Sequence, residues 1–540
     1  MPPYFFVYKK TILAGLLAIL FILATFQLKF SLSKAPSNLL MYGIVQHAQD
    51  TEVHIHGNVQ ARGNDAVLHP LQPGYLLGDK EPLSLHHIQM ESLVRDLRNF
   101  LVSSFHSSLM KSKNAAAIVS KSREFLRVLE IKLNVTKTLD GAQQMVDTSL
   151  KALQALVQRT IHALQHPVDC EKAPKLLCTL DNPWGFAAGM HDVLWCFVAA
   201  LRMGRTVILE SSKWHHAPGS DWSKTFVPLA SITCTNVSLA GAVKGYPGYD
   251  SSPKERNKIL DLPLTVADTL VANHGTPYAW WYGQIMAYIL RLQDSTRRKI
   301  DMFKRAHDFE HPIVGIHIRQ TDKLREAAYH EAEQYMSHVV EFYLKLSLTR
   351  PLTKRRVFVA TDEPMVITQL EERFPKYTFI YDKASAEEAH NEKSRSSSSA
   401  LFAIVRDVYL LAESDFLVCT FSSGFCRVAF ELMQTLHSDA TSRAVSVDID
   451  YFYAYVPFPP SKALFHNWAH LDSELDFDRG QLIEKPESLS ALHEAVGKEF
   501  CDGYQQGRIL GSTKVGKYPT YKTAQTYRVV EYAAFNTSHR

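Results

Sequence analysis

Apolar residues recur at three-and-four spacing in two stretches between residues 85 and 166, "MESLVRDLRNFLVSSF" and "MVDTSLKALQALVQRTIHALQ", with almost no Pro or Gly. That spacing predicts amphipathic helices. After Pro167 the period changes. Short β-rich runs appear: RTVILES (205–211), PIVGIHIR (312–319), RRVFVAT (355–361), YTFIYD (377–382), DFLVCTF (415–421) and AVSVDI (444–449). Helical patterns at 331–346, 399–414 and 425–436 lie between them. Strands that alternate with helices predict a parallel α/β sheet. From about 461 to 523 the pattern breaks into short runs with Gly turns, which suits a small β-barrel.

The chain's start follows another rule. Thr11 to Leu28 is an uncharged, mostly apolar run, preceded by Lys9 and Lys10 and followed by Lys29. Its length suits a helix crossing a hydrocarbon core, which takes roughly 17–25 residues. A cleaved signal peptide has a shorter apolar core and a small-residue cleavage site, so an uncleaved signal-anchor is the favoured reading. Positive charge on the N-terminal flank leaves residues 1–10 in the cytosol and the remainder in a lumen. The expected order is then a tail (1–10), an anchor (11–28), a stem (29–84), a helical neck (85–166), an α/β catalytic region (167–460), the β-barrel (461–525) and a C-terminal tail (526–540). The neck's stripes suit dimerisation with a second chain and packing on the catalytic region equally well.

Composition narrows the partners. Across 540 residues the formal net charge is only +4, with no long basic run, so nucleic acid has no compositional support. An anionic ligand must therefore be met by a few local cations. Three N-x-S/T sequons, at Asn134, Asn236 and Asn536, agree with a lumenal address. Of seven cysteines, four fall between Cys170 and Cys234, two more are Cys419 and Cys426, and the last is Cys501. None is at zinc spacing, so disulfides with one thiol over are the better reading.

The chemistry gathers at strand ends, where open α/β sheets bind ligands. The first run ends in His317, Arg319, Gln320, Asp322 and Lys323, the second in Thr361, Asp362 and Glu363, the third in Ser422, Ser423 and Gly424 before a helix. If these strands are neighbours, the three clusters face one crevice. A helix start after "FSSG" offers unpaired N–H groups to an anion, and Arg319 can fork onto two phosphate oxygens. Each piece also has a plain structural reading: an N-cap for "FSSG", a turn for "ATDEP", a satisfied sheet histidine for His317. Asp407, on the helical pattern before, can accept from a base or sugar donor. No Walker A, GxGxxG or HExxH pattern occurs. "DID" (448–450) mimics a metal-binding DxD but falls in a predicted strand, and no required metal is expected.

The strings "VGIHIRQTDK", "VFVATDEP", "DFLVCTFSSGFCRVAFELMQTLHSDA" and "HGTPYAWW" (274–281) resemble the α-1,6-fucosyltransferases that core-fucosylate N-glycans. The resemblance runs from about Asp169 to Thr523. It implies a GT-B-like Rossmann-type catalytic region, a coiled-coil-like neck that forms a homodimer, a C-terminal SH3-like β-barrel, and a single-pass type II protein of the Golgi membrane. It also implies inverting transfer of L-fucose from GDP-fucose to the 6-hydroxyl of the innermost GlcNAc of an N-glycan, without metal. In that picture His317 and Asp407 hold the guanine side, and Arg319 and Ser423 bind the diphosphate, with Gln320 also on the donor. Glu326 is the general base with Lys323 beside it; Asp322, Asp362, Glu363 and Ser422 support them. The implied disulfides are Cys170–Cys234, Cys178–Cys196 and Cys419–Cys426, leaving Cys501, which stands at an aromatic position of the SH3-like domain.

Three departures from the family pattern stand out. The family has two adjacent arginines where this chain has Arg319-Gln320, and a cysteine pair near "NPWGFAAGM" (182–190) that is missing here. The segment between Lys323 and Glu326 is one residue shorter. An active core fucosyltransferase therefore competes with two alternatives: a GDP-fucose enzyme with another acceptor, and a weakened glycan-binding homologue.

Overall fold

The computed structural model describes residues 67–69, 83–104, 113–181, 183–216, 222–245, 258–321, 327–391, 398–453, 459–485 and 503–536. The apolar run 11–28, most of the stem, and Asp322, Lys323, Glu326 and Cys501 lie outside the described residues.

After β1 (Val67–His69) come three neck helices, α1 (Leu83–Ser104), α2 (Lys113–Leu139) and α3 (Ala142–Gln165). Gly141 makes the corner between the last two with φ of +79°, a left-handed conformation that strains residues with a side chain. Asp140 fixes that corner, accepting the Ala142 amide at 2.9 Å and meeting His87 Nε2 of α1 at 2.7 Å. On α3 the predicted stripe of Val146, Leu150, Leu153, Val157 and Ile161 is buried. The neck also docks on its own chain, with Arg127 paired to Glu341 at 2.7 Å and Lys345 to Glu130 at 2.9 Å.

Two parallel sheets follow. The smaller has β2 (Lys175–Thr179) between β3 (Thr206–Glu210) and β4 (Val243–Gly245), with α4 (Phe186–Met203) linking β2 to β3. Cys170–Cys234 and Cys178–Cys196 are both bonded in this part. Among the described residues α4 alone is long and apolar enough to cross a membrane, and 72% of it is buried within the protein. Then come β5 (Asp261–Pro263), α5 (Leu264–Asn273), α6 (Pro277–Ile289) and α7 (Asp294–Ala306). In α6 the "PYAWW" residues Tyr278, Trp280 and Trp281 are core side chains.

The larger sheet contains β6 (Ile313–Ile318), α8 (Ala332–Ser347), β7 (Arg356–Thr361), α9 (Pro364–Arg373), β8 (Thr378–Ile380), α10 (Lys383–His390), α11 (Ser398–Glu413), β9 (Phe416–Cys419), α12 (Gly424–Leu436) and β10 (Ala444–Ser446). Its strand order is β10-β9-β6-β7-β8, and every pairing is parallel. All six residues of β6 are buried because helices cover both faces. Alternation along β7 sends Val357 and Val359 to one core and Phe358 and Ala360 to the other. Gly315 is required for close helix approach: a Cβ there would lie 2.7 Å from Ser414 Oγ, just past the end of α11, and 3.0 Å from Leu411 Cδ2 within it.

Beyond residue 460 lies an antiparallel sheet of β11 (Ser461–Ala463), β12 (Leu482–Glu484), β13 (Tyr504–Ile509), β14 (Val515–Pro519) and β15 (Thr523–Gln525). Its small core holds Ala463, Leu475, Phe477, Ile483 and Tyr518. The segment expected to be a tail is different. β16 (Tyr527–Val530) is the middle strand of a sheet with β1 and β5, and Arg528 pairs with the buried Asp261. A β-prone "YRVV" with a carboxylate partner waiting is built in rather than left outside.

Candidate active site

The strand order places β9, β6 and β7 side by side, so the three predicted strand-end clusters do share one edge. From β6 the chain moves through α8 to β7 and through α9 to β8; it then returns through α10 and α11 to β9, on the other side of β6. The loops after β6 and β9 therefore part in opposite directions. That is the switch point at which doubly wound sheets open a crevice.

Each side of the crevice is held firmly. On the β9 side, Ser423 caps α12 and is fully buried, and its Oγ has no hydrogen-bond partner among the described residues. The first amides of α12 have no intrahelical carbonyl to meet, and the helix dipole favours negative charge there. The Cys419–Cys426 disulfide closes the loop from the end of β9 to the first turn of α12. Phe421 N–H donates to Ser446 Oγ at 3.0 Å and Ser422 N–H to Asp448 at 3.3 Å, while Ser446 Oγ donates to Asp448 at 2.7 Å. Arg427 Nη1 donates to the Phe421 carbonyl at 2.8 Å.

On the β6 side, His317 is buried and its ring stacks on Phe425 of α12, with centroids 4.6 Å apart. Arg319 is 30% exposed, with Nε 3.8 Å from Asp362. Asp362 accepts the Gln320 amide at 2.9 Å and the Thr321 hydroxyl at 2.5 Å. It anchors the start of the segment after β6. Gln320 itself is buried, and its Nε2 donates to the His330 carbonyl at 2.9 Å. Burial holds the His330 imidazole below its usual pKa, with Asp448 acting in the opposite sense. From the smaller sheet, the start of α4 reaches the same loop: a Cβ on Gly424 would be 3.2 Å from Ala187 Cβ.

The other predicted residues are placed as follows. Glu363 accepts the Met365 amide at 3.2 Å as the cap of α9 and lies 3.4 Å from His390, which is the plain turn reading of "ATDEP". Asp407, on α11, is held by Arg406 at 2.7 Å, and desolvation raises its pKa to about 6. "DID" is not in a strand: β10 stops at Ser446, because Asp448 turns back to bind Ser446 and the Ile449 amide. Asp448 instead braces the Ser422 loop, accepting the Ser422 amide. Phe425 and Ser446 were not singled out; an aromatic at the first helical turn, three residues after a strand-end serine, is the signal that marks Phe425. A separate cavity of about 280 Å³ lies behind the loop, lined by Phe421, Ser446, Arg95, Asp450, Lys485 and Tyr504. Asn134, Asn236 and Asn536 are all exposed.

Residues 85–453 match the family model described as alpha-(1,6)-fucosyltransferase N- and catalytic domains. The chain belongs to the alpha-(1,6)-fucosyltransferase family. It is a fucosyltransferase. An alpha-(1,6)-fucosyltransferase of Drosophila melanogaster is 32% identical over 437 residues, 78% of this chain and 68% of that one. One of Caenorhabditis elegans is 26% identical over 417 residues, 73% of this chain and 72% of the other. Among solved structures, the fucosyltransferase NodZ from Bradyrhizobium aligns with 48% of this chain and 92% of its own, at 18% identity and a TM-score of 0.31. The family match ends before the C-terminal antiparallel sheet.

Proposed function

We propose that this fucosyltransferase moves L-fucose, with inversion, from GDP-fucose to the 6-hydroxyl of the innermost GlcNAc of N-glycans. The observation that carries this reading is the adjacency of β6, which leads into Arg319, and β9, which leads into the buried Ser423 and the amide end of α12, at the sheet's switch point. A guanidinium fork and preorganised N–H groups are what a departing diphosphate needs, and they act without a required metal. His317, held flat by Phe425, faces the guanine side together with Asp407. Glu326 takes the proton of the acceptor hydroxyl, with Lys323 beside it. A single displacement needs one base and no covalent nucleophile.

A GT-B-like arrangement, with the crevice between two parallel sheets, is supported by the contact of Ala187 with the Gly424 position. The five-stranded antiparallel sheet at the C-terminus is taken as the SH3-like domain. The apolar run 11–28 makes the chain a single-pass type II protein of the Golgi membrane. The neck makes it a homodimer: Ile118, Phe125, Val128, Val135 and Leu139 are exposed at heptad-like steps along α2.

Purified protein is incubated with GDP-fucose and a GlcNAc-terminated biantennary N-glycan in EDTA, and the product is weighed by mass spectrometry. One added deoxyhexose, absent when the innermost GlcNAc is removed, supports the reading. No transfer at saturating donor contradicts it.

A further inference from the structure

We propose that His191 is a positioning residue: bonded to Glu431 on one side and to the Ala187 carbonyl on the other, it fixes the first turn of α4 against α12. The inference rests on the fucosyl-transfer reading above, in which the amide end of α12 meets the diphosphate. It adds a tie between the two parallel-sheet regions beside that loop.

The contacts form a closed ring. Ala187, in the first turn of α4, faces the start of α12, where a Cβ on Gly424 would lie 3.2 Å from Ala187 Cβ. The Ala187 carbonyl accepts from His191 Nδ1, one turn further along α4, at 2.7 Å. His191 Nε2 lies 3.1 Å from Glu431 Oε1, about two turns down α12 from Gly424. A carbonyl can only accept, so Nδ1 carries a proton, and the Nε2–Glu431 bond uses a second. Tyr451 donates to the same carboxylate oxygen at 2.7 Å, and Tyr453 donates to the His191 carbonyl at 2.9 Å. Burial, followed by the Glu431 carboxylate, pushes the Tyr451 phenol above its usual pKa, so it stays a donor. On its other side α12 is pressed against α6, where a Cβ on Gly283 would collide with the Glu431 carbonyl.

Both members of the pair are deep: His191 is 6% exposed and Glu431 not at all. Glu431 Oε2 has no hydrogen-bond partner among the described residues, so His191 and Tyr451 hold the carboxylate between them. Apolar side chains of similar size would stabilise such a core as well or better. What the polar pair adds is direction, since a hydrogen bond selects one register of α4 against α12 and apolar contact is non-directional. That register reaches the donor loop. Arg427, one turn nearer the loop on the same face of α12, donates to the Phe421 carbonyl at 2.8 Å, just before Ser422 and Ser423.

The test uses the full chain in detergent and the double variant His191→Phe, Glu431→Leu, which removes the bond without leaving a buried charge unpaired. Its melting temperature should stay close to that of the wild type, while the Kd for GDP rises about tenfold as the loop loses its preorganisation. Glu431→Gln, whose carboxamide still meets Nε2, should bind GDP within about threefold of wild type. Amide exchange across residues 187–191 should quicken about fivefold in the double variant, as one lost hydrogen bond predicts. In nucleotide-free wild type the same amides should exchange as slowly as those in the middle of α4. Wild-type GDP affinity in the double variant overturns the proposal, as does a lowered melting temperature with affinity unchanged. A Glu431→Gln protein as weak as the double variant overturns it too. Exchange at 187–191 of the wild type as fast as at a fraying helix end also overturns it, even if the double variant does not fold. That last arm holds whether or not the protein transfers fucose, so it stands apart from the transfer reading itself.

Discussion

The His317 ring lies face to face with the Phe425 ring, their planes 17° from parallel and their centroids 4.6 Å apart. This stack joins the last turn of the sheet's middle strand to the first turn of α12, across the switch point. An aromatic pair of this kind is worth about 0.5–1.5 kcal/mol beyond its buried area. Phe425→Leu is therefore expected to weaken GDP binding by about 3- to 10-fold through loss of the imidazole's orientation. Titration calorimetry with GDP reads this directly, and an unchanged Kd would set the stack aside as mere packing.

The Cys419–Cys426 disulfide should matter more for the loop than for the fold. Closing so short a loop stabilises by about 2–3 kcal/mol in the chain-entropy account. The double substitution Cys419→Ala, Cys426→Ala should lower the melting temperature by several degrees and weaken GDP binding disproportionately. Differential scanning calorimetry beside GDP titration checks both; a lowered melting point with wild-type affinity would contradict the loop role.

The neck–catalytic interface carries its own pH signature. Burial, followed by Arg98 and Arg123, depresses the His338 pKa from 6.5 to about 4. A histidine whose folded pKa is depressed resists protonation in the native state, so the unfolded chain binds the extra proton between pH 6.5 and 4. Stability therefore falls as the pH drops through that window, by about 2 kcal/mol at pH 5. Thermal melts from pH 7 to pH 5 should show this slope in the wild type and a shallower one in His338→Gln. Parallel slopes would assign the pH dependence elsewhere, for example to His437, also depressed to about 4 by burial and Arg443.

Association is testable on the exposed face of α2. Phe125 is 73% exposed and Leu139 82%, with Val128 and Val135 between them. Phe125→Glu with Leu139→Glu should shift sedimentation from dimer to monomer and leave the melting temperature nearly unchanged. A wild-type protein that sediments as a monomer at every concentration sinks the dimer.

The sequence made some of this readable and hid the rest for physical reasons. β6, β7 and β9 were legible because strands buried on both faces are uninterrupted apolar runs, and the polar residues just past each mark where burial stops. Their adjacency was a conditional, since strand order is set by long-range pairing that no local pattern encodes. β16 was missed for the same reason: "YRVV" is short, and its partners β1 and β5 are hundreds of residues away. β2 was missed because the apolar run in KLLCT is short, only Leu176, Leu177 and Cys178 between Lys175 and Thr179. "DID" misled through a period-two pattern that Asp448 breaks by folding back on Ser446. Gln320 was noticed for the charge it lacks; the His330 carbonyl it meets is visible only in three dimensions.

The central claim is that the crevice between the ends of β6 and β9 receives the diphosphate of the donor. The most direct measurement is the Kd for GDP of Arg319→Ala beside that of the wild type, by calorimetry in EDTA. Loss of a charge-assisted contact of about 1.5–3 kcal/mol predicts weakening of at least tenfold, with no measurable fucosyl transfer. Wild-type GDP affinity in Arg319→Ala would contradict the account.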